Sequence, residues 1–134
     1  MTATPEVLTH VETAALAAAD KLASDIVAFD VSDQLAITDA FLLCSAPNER
    51  QVQAIVDAVE ERLLREHGVK PVRREGERDG RWVLLDYVDF VVHVQHGEER
   101  AYYSLERIWK DCPVIALPDE VRAGRSAVAA QGRP

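Results

Sequence analysis

Apolar residues recur at Leu8, Val11, Ala15, Ala18 and Leu22, a helical spacing in an alanine-rich segment, with Thr4-Pro5 as its start signal. Ile26-Val27-Ala28-Phe29 is short, apolar and partly β-branched, and reads as a strand. Asp33 and Thr38-Asp39 punctuate a loop, after which the unbroken apolar run from Ala40 to Cys44 reads as a strand covered on both faces. The next helix carries one stripe of Val52, Ile55, Val56, Val59 and Leu63. Asn48 with Gln51 is a capping-box arrangement at its start, and Gly68 is the stop. Residues 69–74 read as a strand and 75–81, with two glycines and five charges, as an exposed turn. Strands over 82–85 and 90–94 are joined by Asp86-Tyr87-Val88-Asp89. Glu98 and Glu99 open a third helix, with Ala101, Leu105, Ile108 and Trp109 as its expected buried face. Val114 to Leu117 reads as a last short strand.

This order, α-β-β-α-β-β-β-α-β, predicts an α/β (α+β) fold with a mixed sheet of five to six strands and flanking helices. The strand-helix-strand unit over 40–74 implies a parallel pair with a right-handed crossover, and the tight connections after it imply antiparallel pairs. A folded domain over 1–117 and a disordered tail over 118–134 are expected, because the tail is poor in apolar residues. No apolar run is long enough to span a bilayer, and no secretory signal is visible. Cys44 and Cys112 sit among apolar residues and read as buried thiols of a cytoplasmic protein.

Charge narrows the function classes. The 134 residues carry a net charge of −8, and residues 1–60 alone hold ten acidic and two basic side chains. An acidic body is a poor reader of nucleic-acid backbone, since that binding runs on Lys and Arg, but it suits a basic protein partner. The segment Gly76 to Gly80 lacks the Gly-Lys-Ser/Thr ending of a phosphate loop and lies between strands. His93 and His96, three apart on a strand, point to opposite faces, and no cysteine lies near them. Ser45 and Ser104 have no recognisable His–Asp partner. The best enzyme alternative is a carboxylate pair, Asp86 and Asp89, holding Mg²⁺ for nucleotide chemistry. Hairpin-turn chemistry is the competing reading of the same residues. No catalytic residue, metal or cofactor is assigned.

Five of the eight aromatic residues (Trp82, Tyr87, Tyr102, Tyr103 and Trp109) lie within 28 residues, interleaved with Asp86, Asp89, Glu98, Glu99 and Arg100. Aromatics and Arg ringed by charge make the composition of a protein-contact patch. Trp109, on the apolar spacing of its helix, reads as core. Tyr102 and Tyr103 are adjacent on a helix and cannot both occupy the centre of one stripe.

Several stretches together resemble the ribosomal silencing factor family, also called iojap-like proteins. They are Asp39 to Ser45; Arg50 to Ile55 with Asp57; Glu75-Gly76 with Gly80 to Tyr87; Asp89 to Val94; and Arg100 to Trp109. They cover roughly residues 8–115. The chain departs from the family at Val88, where Gly is common, at Gln95, where Phe is common, and at Ser45-Ala46-Pro47 in place of Ser-Gly or Thr-Gly. The resemblance implies a nucleotidyltransferase-like sheet without catalytic motifs. It implies a translational repressor that binds the large ribosomal subunit through ribosomal protein number fourteen at the intersubunit face. There it would block association with the small subunit, with no reaction catalysed. Carried over by position, the contact residues are Trp82, Asp86, Tyr87, Asp89, Arg100, Tyr102 and Tyr103. A large-subunit assembly factor is the alternative reading within the same partner class, and an apolar strand edge leaves a homodimer open.

Overall fold

The structure, a computed structural model, describes residues 2–121. Helix α1 (Pro5–Asp20) starts as its sequence dictates. The Thr4 hydroxyl accepts from the Val7 N–H at 3.2 Å, and Pro5 occupies a first-turn position where its missing N–H costs nothing. Leu22, expected on the buried stripe, instead lies beyond the helix end, 66% exposed and with φ of 62°. There it closes α1 through bonds from the Leu22 and Ala23 N–H groups to the Ala19 and Ala18 carbonyls.

Helix α2 (Glu49–His67) buries the predicted five residues: Val52, Ile55, Val56, Val59 and Leu63. Burying each is worth about 1.5–3 kcal/mol. The surface pairs on this helix, Arg62–Glu66 and Arg65–Glu61, are screened by solvent, so the stripe and not the charges docks it. The Asn48 side chain accepts from the Gln51 N–H at 2.8 Å, but the Gln51 side chain donates to the Lys21 carbonyl instead of completing a capping box. Gly68, at φ of 69°, stops the helix as expected.

The sheet has five strands: β1 (Ser24–Asp30), β2 (Ala40–Ala46), β3 (Arg73–Glu75), β4 (Trp82–Asp86) and β5 (Phe90–His96), in the order β1-β2-β5-β4-β3. The parallel partner of β2 is β5, not the strand that follows α2. That strand, β3, lies on the far edge, antiparallel to β4. The short, fully exposed β3 has nothing to bury, so the apolar β5 takes the central position beside β2. Gly76, after β3, is obligatory. It has φ of 82°, and a Cβ there would meet the Trp82 carbonyl oxygen at 1.8 Å.

The expected third helix is two short ones, α3 (Gly97–Tyr103) and α4 (Leu105–Ile108), broken at Ser104 with φ of 48°. The break rotates the apolar stripe out of register. Ala101 and Ile108 are exposed, Leu105 and Trp109 are half-buried, and Arg100 is the buried member. Residues 114–117 form no strand; one bridge joins Val114 to Phe29.

The packed body also continues past the expected boundary at Leu117. Residues 119–121 are helical, and Val121 is 1% exposed in the main core; the rest of the expected tail lies outside the described residues. A chain ending at Leu117 is therefore expected to be about 1–2 kcal/mol less stable in urea unfolding than one ending at Val121. Equal midpoints for the two truncations would show that Val121 contributes nothing.

Candidate functional site

The two faces of the sheet are covered unequally. Ile26, Ala28, Leu42, Cys44, Val83, Leu85, Phe90, Val92 and Val94 pack under α1 and α2 in the main core. On the other face a smaller cluster of Phe29, Val31, Leu43 and Cys112 is capped by Leu35, Leu105 and Trp109. Among the described residues that cap stops short of β4. What remains is a shallow groove of about 300 Å³, with Phe41, Leu84 and Val91 as its apolar surface and Arg73, Glu75 and Asp86 among its charged lining. No helix of the described residues is long and apolar enough to cross a membrane.

His93 holds the centre of this face. The Trp82 indole N–H donates to its Nδ1 at 3.1 Å, and the Phe41 ring meets it edge-on with centroids 5.2 Å apart. Phe41 in turn meets Trp109 edge-on at 5.2 Å, so Trp109 braces the groove from the covered side. Burial pushes the His93 imidazole down to about 4, so it is neutral at physiological pH. With Nδ1 accepting, the ring proton sits on Nε2, which is buried without a partner among the described residues. At one end of β4, Arg81 gathers Glu49 at 3.0 Å, Glu99 at 2.9 Å and Glu98 at 3.6 Å, tying the strand to α2 and α3. At the other end Asp86 pairs with Arg73 at 3.1 Å and accepts from the Val88 N–H at 2.8 Å.

Of the expected contact residues, Trp82 and Asp86 lie on the open face, half-buried, and Asp89 is exposed at the tip of the β4–β5 hairpin. Tyr87 points the other way. It is buried, stacked on Phe90 at 4.7 Å and 5°, and its phenol is held well above the usual range by burial. One residue along a strand changes the face, which is why Tyr87 parts from Asp86. Arg100 is also buried, with Nε 3.0 Å from Glu106, a charge contact outside hydrogen-bond geometry. Neither side chain is displayed for a partner here. The side chains of Tyr102 and Tyr103 lie outside the described residues; their backbone forms the end of α3. The sequence reading missed Phe41, Leu84 and Val91. The signal for Phe41 and Leu84 is strand alternation, which sets them on the face opposite Leu42 and Val83, whereas the apolar run from Ala40 to Cys44 predicts cover on both faces.

Phe41, Leu84 and Val91 give this face apolar contact surface. Asp86 is committed to Arg73 and to the hairpin. Among the described residues no group of three or more His, Cys, Asp or Glu side chains is arranged to hold a metal ion. Burial pushes the Cys44 thiol up to about 12, which leaves it inert as a nucleophile.

Residues 4–133 match the family model described as "Ribosomal silencing factor during starvation". A ribosomal silencing factor of Halalkalibacterium halodurans is 44% identical over 98 residues, 73% of this chain and 83% of that protein. One from Bacillus subtilis is 42% identical over 104 residues, 78% of this chain and 87% of that protein. A crystal structure of a Chromobacterium violaceum protein superposes with a TM-score of 0.72 at 31% identity, covering 86% of this chain and 94% of that one. A partly uncovered mixed sheet and a family match along nearly the whole chain agree: this chain belongs to the ribosomal silencing factor family.

Proposed function

We propose that this protein represses translation in the cytoplasm by docking the open β4–β5 face on a basic protein of the large ribosomal subunit, thereby excluding the small subunit. Ribosomal protein number fourteen is the partner that the resemblance implies. The observation that carries the reading is the half-covered sheet: an apolar groove beside Trp82, lined by Asp86, with the carboxylate Asp89 exposed on the adjoining hairpin. Apolar surface provides the association energy, and carboxylates give steering and register against a basic partner. Trp82, Asp86, Asp89, Tyr102 and Tyr103 form the proposed contact set. Tyr87 and Arg100 support it from within.

The protein is expected to co-sediment with purified large subunits and to suppress joining when small subunits are added. Binding without any effect on joining would remove the silencing role and leave a large-subunit assembly factor. The reading is also non-enzymatic. Nucleoside triphosphates with Mg²⁺ or Mn²⁺ are expected to give no turnover. Saturable turnover that disappears on replacing Asp86 and Asp89 together by Asn would establish the nucleotide enzyme instead.

A further inference from the structure

The β4–β5 hairpin closes on Val88 and Asp89, with the Tyr87 N–H donating to the Phe90 carbonyl at 3.0 Å. Val88 has φ of 73°, and the Asp89 N–H donates to the Tyr87 carbonyl at 2.9 Å across it. That is the γ-turn with positive φ at its centre, the rare and strained form. Glycine relaxes such a position, whereas a β-branched residue there is a genuine outlier. The strained side chain gains little in return from the fold, since Val88 is 47% exposed. Leu22 shares the left-handed region, but its place is accounted for by the closure of α1.

A second apolar residue stands beside it. Ile37, 80% exposed, lines the groove from the loop before β2. Two hydrogen bonds tie the two loops together: the Thr38 hydroxyl donates to the Val88 carbonyl at 3.1 Å, and the Asp39 N–H to the Asp89 carbonyl at 2.7 Å. Residues 31–39 and 86–89 contain Asp33, Asp39, Asp86 and Asp89 and no Lys or Arg.

We infer that Ile37 and Val88 are paired apolar anchors, beyond the acidic-aromatic contact set, that seat in an apolar depression on a basic protein surface. Arg73, paired with Asp86, is the one cation lining the groove among the described residues, so exposed apolar groups on acidic loops match a depression rimmed by Lys or Arg. A second copy of this chain fits poorly, because it would bring the same four carboxylates against these. The strain at Val88 persists because its isopropyl group is used in the complex, as strained backbone at binding sites commonly is.

The inference rests on the proposed docking and is tested with the full chain against purified large subunits. Val88→Gly relieves the turn and removes the anchor together. It is expected to raise the melting temperature by a few degrees and to weaken binding about tenfold. Ile37→Ala is expected to weaken binding roughly fivefold or more with an unchanged melting temperature. Val88→Gly and Ile37→Ala proteins that bind like wild type, while Asp89→Lys binds poorly, would overturn the anchors and leave the docking face standing. If all three bind like wild type, the docking face is wrong as well. If the Ile37 and Val88 variants weaken self-association instead of subunit binding, the occupant is a second copy and the inference fails.

Discussion

Asp89→Lys is expected to weaken binding to the large ribosomal subunit by several kcal/mol, because it sets a like charge against a basic partner at close range. The melting temperature should stay near wild type. The Asp89 backbone donates to the Tyr87 carbonyl and accepts from the Asp39 N–H, and both bonds survive the substitution. Asp86→Lys would be less clean, since Asp86 also pairs with Arg73 and accepts from the Val88 N–H, and the hairpin would open with it. Tyr103→Ala, on the neighbouring helix, is expected to cost about 2 kcal/mol of binding. Glu12→Lys, on the exposed side of α1, serves as the control and should change little. Equilibrium binding measured at two salt concentrations checks the mechanism, because a steered contact weakens as ionic strength rises. Wild-type affinity in both the Asp89 and Tyr103 variants would move the docking face elsewhere.

Acidification to pH 5 is expected to remove about 2 kcal/mol of folding stability through His93 alone. Burial lowers the His93 folded-state value from 6.5 to about 4. The unfolded chain therefore takes up a proton first as pH falls. Stability is complete above about pH 6.5, declines between there and about pH 4, and gains no further loss from this group below that. Protonation of Nδ1 also breaks the bond from the Trp82 indole, so the change is felt at the open face. Urea unfolding at pH 7 and pH 5 should show the loss in wild type and a smaller difference in His93→Gln. The carboxylates add their own acid sensitivity at lower pH; Asp30, held below its usual range by its hydrogen bonds from Ser32 and Ala3, loses its contribution as pH falls past that range. If wild type and His93→Gln lose equal stability between pH 7 and pH 5, His93 is not the group responsible.

The elements legible along the chain are those whose cause is local. Thr4-Pro5, Asn48 and Gly68 bound the two long helices because a cap satisfies backbone groups within a few residues. The stripe from Val52 to Leu63 states its own buried face, since a helix returns to it every three or four residues. The hairpin of β4 and β5 follows from its short turn. The family was legible for a different reason, as motifs in one order from Asp39 to Trp109. What tertiary structure alone decided is long-range. Nothing near β2 says that its parallel neighbour is β5; that follows from which strands have apolar side chains for both faces, and β3 has none. Periodicity carried a continuous helix through Ser104, but the chain turns there to lay Trp109 against Phe41 and to bury Arg100. Val121 reads as tail in sequence and becomes core because the end of the described chain returns to the β1 edge, where it shares a lining with Ile26 and Ala28. Tyr87 and Asp86, neighbours in one acidic-aromatic motif, are sent to opposite faces by the pleat. The caps thus determine where helices begin and end, while the half-exposure of Trp82, Leu84 and Asp86 on β4, beside a fully buried β5, depends on how far the described segment from Gly97 to Cys112 reaches across the sheet.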